Sequence, residues 1–138
     1  ILNFFAIIKS AVTVEKYLPF NNNLEDSNDQ YYHFFIAPFD GQVKQITIGA
    51  TSADQSSLGT ITLKTRESAG NDFDLDESSD ILETQTLAGS VRQTSYSANF
   101  TNSTFSKGDQ LAFTFKQSNS LNDDIAIAGT IVLEFNIN

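Results

Sequence analysis

The strongest constraint on the fold of this chain is the alternation that runs through residues 125–138. Consecutive odd positions are apolar except for one glycine: Ile125, Ile127, Gly129, Ile131, Leu133, Phe135 and Ile137. Thr130, Glu134 and Asn136 lie among the even positions. Because a period of two places successive side chains on opposite faces of a strand, the segment is predicted to be a long β-strand with one buried face. Gly129 is the expected position of a bend or bulge in it.

Alternation of the same kind predicts further strands. Residues 59–66 and 94–101 alternate apolar with polar side chains, so each is expected to keep one face in contact with solvent. The turn Ser106-Lys107-Gly108-Asp109 leads into residues 111–116, where Leu, Phe and Phe point one way and most polar side chains the other. These segments predict strands that bury one face in a common core.

The remaining parts of the chain are less regular. The aromatic run 31–37 and residues 42–50 flank an Asp-Gly turn and are predicted to pair as a hairpin. Residues 1–18 fit helical spacing in part, but we predict a strand over 11–18. The acidic, serine-rich stretch 67–90 is predicted to be an exposed excursion from one end of the domain.

Seven to eight strands with no convincing helix predict an all-β fold, an antiparallel β-sandwich with jelly-roll-like topology. We expect residues 1–30 to form an N-terminal docking segment and linker, and residues 31–138 to form the sandwich domain. The chain contains no methionine, so we expect it to be a processed product or part of a longer protein.

Charge and cysteine content exclude several classes of partner and chemistry. Eight basic against seventeen acidic residues give a net charge of −9, so binding to nucleic acid is not expected. The absence of cysteine excludes disulfides, thiolate metal sites and cysteine nucleophiles. The apolar run at residues 1–8 is much shorter than the roughly 20 residues of a membrane-spanning helix, so no membrane insertion is expected.

The same run predicts an assembly role. Its apolar content is high for so small a domain, so we expect it to be buried against a partner chain or a second copy. The residues concerned are Ile1, Leu2, Phe4, Phe5, Ile7 and Ile8. A homotrimer is the expected state, because a closed ring of sandwiches hides sheet edges.

Three segments carry a resemblance to a known family. Residues 31–46 contain Ala37-Pro38-Phe39-Asp40-Gly41 between an aromatic strand and an Ile/Val strand, and residues 105–113 and 129–135 continue the likeness. Together they resemble a β-sandwich module of structural proteins of marine tailed phages, cyanophages in particular, over about residues 31–138. The resemblance implies a virion-surface protein, either a fibre or knob domain or a capsid decoration, with other virion proteins as partners and no catalytic residues.

A second, weaker likeness concerns the turn at residues 107–109. It is similar to the turn that precedes a strand in the trimeric jelly rolls of the tumour necrosis factor and complement globular-head type. Short Gly-Asp turns recur wherever a tight turn leads into a strand, because Gly tolerates positive φ and Asp bonds its own backbone.

One acidic segment has the spacing of a calcium loop. Oxygen ligands lie at positions 1, 3, 5, 9 and 12 of a twelve-residue loop, as Asp72, Asp74, Asp76, Asp80 and Glu83. Against calcium, the sixth position is Glu77 where the sharp turn needs Gly. The alternative is a solvated acidic loop without a metal, and no other cofactor is expected.

The sequence predicts no enzyme. His33 is the single histidine and lies in an aromatic strand, away from any nucleophile motif. The alternative to a virion structural role is a secreted or virion carbohydrate-binding module that recognises a host surface glycan. Its sugar-stacking platform would use the tyrosines, which are Tyr17, Tyr31, Tyr32 and Tyr96.

Overall fold

The computed structural model describes residues 1–8, 15–18, 34–50, 57–66, 80–88, 95–117 and 125–137. These residues contain ten strands: β1 (Leu2–Ile8), β2 (Lys16–Tyr17), β3 (Phe34–Ile36), β4 (Gly41–Ala50), β5 (Ser57–Arg66), β6 (Ile81–Ala88), β7 (Ser95–Asn99), β8 (Thr104–Phe105), β9 (Gln110–Gln117) and β10 (Ile125–Phe135). No helix that is long and apolar enough to cross a membrane occurs in these ranges.

The strands form two sheets that pack against each other. In sheet A the order is β1-β10-β4-β7, and β8 also pairs with β4. In sheet B the order is β2-β9-β5-β6, and β3 also pairs with β9. All these pairings are antiparallel. The predicted antiparallel β-sandwich is therefore confirmed.

Two pairs of short strands each occupy a single position in their sheet. The Leu18 amide after β2 donates to the Phe113 carbonyl of β9, and Phe34 at the start of β3 lies opposite the next residue, Ala112. β2 and β3 therefore lie in line along β9. β7 and β8 lie in line along β4 in the same way, joined by further backbone hydrogen bonds across residues 100–103.

Eight strand positions result, four in each sheet, within the predicted number of seven to eight. Along the chain they alternate between sheets A and B, except that β5 and β6 follow each other in sheet B. This is the jelly-roll order, in which successive strands cross from one sheet to the other and long connections wrap the sandwich.

One core lies between the sheets. Its fully buried side chains include Val43, Ile46, Ile48, Ile61, Leu63, Leu87, Leu111, Phe113, Phe115, Ile127 and Ile131. Burying each such side chain contributes about 1.5–3 kcal/mol relative to exposure. Ile127 and Ile131 of β10 and the inward row of β9 are thus buried as the alternation predicted, and Leu133 and Phe135 pack against the core. The prediction is wrong at Ile137, which lies beyond the end of β10 and is 73% exposed.

The predicted hairpin between residues 31–37 and 42–50 is wrong. β3 belongs to sheet B and β4 to sheet A, and the Ala37 amide donates to the Asp109 carbonyl at 2.9 Å. The Asp-Gly turn therefore carries the chain from one sheet to the other. A turn sequence specifies a reversal of direction, but not the sheet that receives the next strand.

The predicted exposed excursion over residues 67–90 is wrong over its second part. Residues 81–88 form β6, which pairs with β5 and contributes Leu87 to the core. The sequence does not predict this strand, because most of its residues are polar. Of its large apolar residues only Leu87 is buried, whereas Leu82 is partly buried and Ile81 is exposed. Residues 67–79 and 89–90 lie outside the described residues.

Gly129 has a different role from the one predicted. The pairing of β10 is regular there, with Phe4 on one side and Ile48 on the other, and the irregularity falls between Val132 and Leu133. A Cβ at Gly129 would meet the Thr47 carbonyl oxygen and lie 2.9 Å from the Phe4 ring. Glycine is needed because an aromatic ring crosses the strand at this point, and no bend is involved.

The domain division expected at residue 30 does not match the sandwich. β1 pairs with β10 from Leu2 opposite Ile131 to Ile8 opposite Ile125, and Phe4 is buried in the core. The sandwich therefore begins with β1. Residues 11–14, part of the strand predicted over 11–18, lie outside the described residues, whereas Lys16–Tyr17 is a strand as predicted.

Candidate functional site

The turns Ala37–Gly41 and Ser106–Asp109 meet at one end of the sandwich, which we call the turn end. The carboxylate of Asp40 accepts a hydrogen bond from the Lys107 amide at 2.7 Å. The Gly108 amide donates to the Ala37 carbonyl at 2.8 Å. Two turns that are about seventy residues apart in sequence are thus joined by two hydrogen bonds from backbone amides. One amide donates to a carboxylate and the other to a carbonyl.

The second turn is fixed by its own aspartate. The Asp109 carboxylate accepts from the Ser106 amide at 2.8 Å, and the Asp109 amide donates to the Ser106 carbonyl at 3.1 Å. Gly108 at the third position has φ 91°, the left-handed value that a type II turn requires there. The predicted turn and the reason for its Gly-Asp pair are both confirmed.

The end of β10 completes the turn end. The Asn136 amide donates to the Asp40 carbonyl at 2.8 Å. The Phe135 ring packs edge-on against Phe39 at 6.3 Å between centroids and against Phe105 at 6.0 Å. All three segments through which the sequence resembles phage structural modules therefore contact one another here.

Glu83 forms a second junction, between the two sheets. Its carboxylate accepts from the Thr101 amide at 3.0 Å and the Asn102 amide at 2.9 Å, and Gln85 donates to it at 2.6 Å. Burial raises the pKa of Glu83, but these hydrogen bonds together outweigh it and hold the pKa below its ordinary value. The carboxylate thus ties β6 of sheet B to the bend between β7 and β8 of sheet A.

Two of the five predicted calcium ligands lie in the described residues, and both bind protein donors. Asp80 forms a two-pronged ion pair with Arg66, with contacts of 3.1 and 2.8 Å. Glu83 forms the junction between the sheets. Asp72, Asp74 and Asp76 lie outside the described residues. Within those ranges no three His, Asp or Glu side chains are grouped so that they could hold a metal ion.

The outward face of sheet B holds a buried charge that the sequence analysis missed. The Lys64 ammonium lies 2.9 Å from the Glu15 carboxylate, donates to the Tyr17 hydroxyl at 3.3 Å and sits 5.3 Å from the Tyr17 ring centroid. Burial lowers the pKa of Lys64, but Glu15 and Tyr17 outweigh this and raise the pKa above its ordinary value. No sequence motif marks this group, because Glu15 precedes β2, Lys64 lies on β5, and the two are far apart along the chain.

The tyrosine platform is not assembled by the described residues. Tyr96 is buried in the core between the sheets, and Tyr17 is buried on the outward face of sheet B. Tyr31, Tyr32 and His33 lie outside the described residues. A flat ring must be exposed to stack on a sugar, so neither described tyrosine presents such a surface.

No protein-family model matches the chain, and no curated protein matches it at a significant level. Among solved structures, it is similar to a chain of broad bean stain virus, with 11% identity and a TM-score of 0.47, over 96% of this chain and 42% of that one. The chain thus spans less than half of that viral chain.

Two further similarities cover nearly the whole of both chains. The globular domain of zebrafish complement 1qA protein has 14% identity and a TM-score of 0.40, over 100% of this chain and 99% of that one. The carbohydrate-binding module CBM36, in complex with calcium and xylotriose, has 13% identity and a TM-score of 0.41, over 94% and 93%.

Proposed function

We propose that this chain is a non-enzymatic structural component of a tailed-phage virion, a surface β-sandwich of the fibre, knob or capsid-decoration type. The observation that carries the proposal is the turn end. There Ala37–Gly41, Ser106–Asp109 and the end of β10, which carry the resemblance to phage modules, bind one another directly. The three segments that carry the resemblance therefore form one structural unit, since each contacts the other two.

The use of the described carboxylates supports a structural role. Asp40 and Asp109 hold backbone amides of the 106–109 turn, Glu83 holds amides of the 101–102 bend, and Asp80 holds Arg66. A general acid or base needs a carboxyl group that faces a substrate. Asp40, Asp80 and Glu83 instead join two parts of the fold, and Asp109 fixes its own turn.

Copy number in the particle is the test. Quantitative proteomics of purified virions, combined with antibody-gold labelling, measures how many copies are present and where. Hundreds of copies over the head would identify a capsid decoration protein, and a few copies at the tail or vertices would identify a fibre or knob. Absence from virions would overturn the proposal.

The alternative function is that of a carbohydrate-binding module, which a glycan array tests alongside the proteomics. A chain that is absent from virions and binds on a glycan array would have that function instead. A glycan-binding chain found on virions would combine the two, with the host surface glycan as its partner. The two measurements are independent, so together they separate a virion component, a carbohydrate-binding module and a chain that is both.

A further inference from the structure

Each sheet of a sandwich has two edge strands, and an edge attracts another strand because its outward N–H and C=O groups have no neighbour in the sheet. Short strands, irregular pairing and nearby charges protect natural edges against this. Along one edge of sheet B, β2 and β3 have only two and three residues. Along the other edge of sheet B, the pairing of β6 with β5 shifts register beside Lys64.

The β7 and β8 edge of sheet A is protected as well. It is interrupted at residues 100–103, where the Glu83 carboxylate occupies the Thr101 and Asn102 amides. β6 also lies beside β7 at this side of the sandwich. Three of the four edges therefore carry a feature that opposes the addition of a strand.

β1 carries none of these features. Residues 2–8 contain no charge and no proline, and they pair with β10 over seven consecutive positions without a register shift. No other described strand pairs with β1. The adjoining positions of β10, residues 126–130, are also uncharged, in a chain whose net charge is −9.

Two side chains of β1 already pack within its own sandwich. Phe4 is buried in the core of its own sandwich, and Leu2 packs against that core. The backbone edge of β1 is a feature that no described strand covers. An extended strand is the group that satisfies such an edge, because it supplies alternating donors and acceptors at the same spacing.

We infer that β1 is a docking edge whose occupant is β1 of a second copy, paired antiparallel across a two-fold axis. Two identical uncharged strands pair over their full length and satisfy both edges at once. The edge strand β7 offers only five residues, so it is a poorer match. The pairing would join the A sheets of two copies into one continuous sheet.

The inference makes the docking role expected for residues 1–8 more specific. It rests on the proposed function only where the dimer is placed in a virion. Its test is made in solution on the full chain. Sedimentation over a range of concentrations should give a monomer–dimer equilibrium. The dimer should tighten with added salt, because the acidic surfaces of the two copies repel each other at low ionic strength.

Hydrogen exchange locates the contact in the unaltered chain. Edge amides of β1 should become protected as protein concentration rises, while amides of β7 should not change. Dimers without protection in β1, monomers at every concentration, or the homotrimer expected from the sequence would each overturn the inference. None of these outcomes depends on whether the chain is found in virions.

A matched pair of variants tests the edge itself. Asn3→Lys with Phe5→Lys places two charges on β1, which should raise the dimer dissociation constant by about tenfold or more. Ser97→Lys with Asn99→Lys adds the same charge at exposed positions of β7 and should leave the dimer unchanged. Equal weakening by both variants would overturn the inference, and the exchange experiment decides the matter if the β1 variant does not fold.

Discussion

The outward faces of the two sheets have similar sequence patterns and opposite environments. On sheet A, Ser97, Asn99 and Thr130 are exposed, as alternation predicts. On sheet B, the equivalent outward positions Thr62 and Thr114 are 7% and 1% exposed. The expectation that residues 59–66 keep one wet face is therefore wrong at its central positions. The same expectation for residues 94–101 is confirmed at Ser97, Asn99 and Thr101.

Each outward face carries a lysine–glutamate pair, which makes the difference measurable. On sheet A, Lys44 and Glu134 are 3.5 Å apart with side chains 42% and 55% exposed. On sheet B, Lys64 and Glu15 are 2.9 Å apart with side chains 7% and 37% exposed. Coulombic attraction is stronger away from water, but the loss of one partner then leaves a charge without hydration. Identical chemistry thus stabilises the two sheets by different amounts.

The largest expected effect comes from removing the acidic partner on sheet B. Glu15→Ala should lower the free energy of unfolding by about 2 kcal/mol, because among the described residues the Lys64 ammonium is then left buried with Tyr17 as its neighbour. Glu134→Ala, the control on sheet A, should change it by about 0.5 kcal/mol or less. Urea unfolding of both variants measures the difference, and equal effects would show that the two faces are equivalent.

A smaller effect of opposite sign is expected for a buried hydroxyl. Thr114 Oγ1 has no hydrogen-bond partner in the part of the chain that the structure describes, so Thr114→Val should raise the free energy of unfolding by about 1 kcal/mol. Thr130→Val, at an exposed position of sheet A, should change it by less than about 0.5 kcal/mol. The measurement is again urea unfolding. Destabilisation by Thr114→Val would mean that the hydroxyl has a partner in solution.

The junction between the sheets should respond to acid. Because the pKa of Glu83 lies below its ordinary value of 4.5, its stabilising effect is complete above that pH and is lost as pH falls through the lowered pKa. Glu83→Gln should cost about 1 kcal/mol at pH 7 and progressively less in acid. Thermal unfolding at pH 7 and at pH 3 tests this, and a difference that does not depend on pH would contradict it.

The smallest expected effect lies at the other end of the pH scale. The pKa of Lys64 is raised above its ordinary value of 10.5, so its contribution is complete below that pH and is lost as pH rises through the raised pKa. Lys64→Met removes the titration and should make unfolding less sensitive to alkali. Lys44→Met on sheet A is the matched control and should unfold like the unaltered chain between pH 9 and 11.

Much of the fold follows from local pattern. The alternation of β10 and the inward row of β9 predicted both strands and their buried faces, because the burial of alternate side chains depends only on a strand's period of two. The Gly-Asp turn at residues 106–109 was predictable for a similar reason, since Gly108 and Asp109 act within the turn itself. The assembly of the turn end was not predictable from the sequence. It depends on the hydrogen bond from the Lys107 amide to the Asp40 carboxylate, which are far apart along the chain.

The sequence by itself determined that this chain forms strands, which residues lie inward, and where tight turns occur, because these depend on neighbours along the chain. The tertiary structure alone decided which sheet receives β4, that β6 completes sheet B, and that Lys64 is buried beside Glu15. It also decided that β1 belongs to the sandwich and that its backbone edge has no described neighbour. These outcomes depend on contacts between distant segments, whose free energies are set by the packing of the whole sandwich and by no single stretch of sequence.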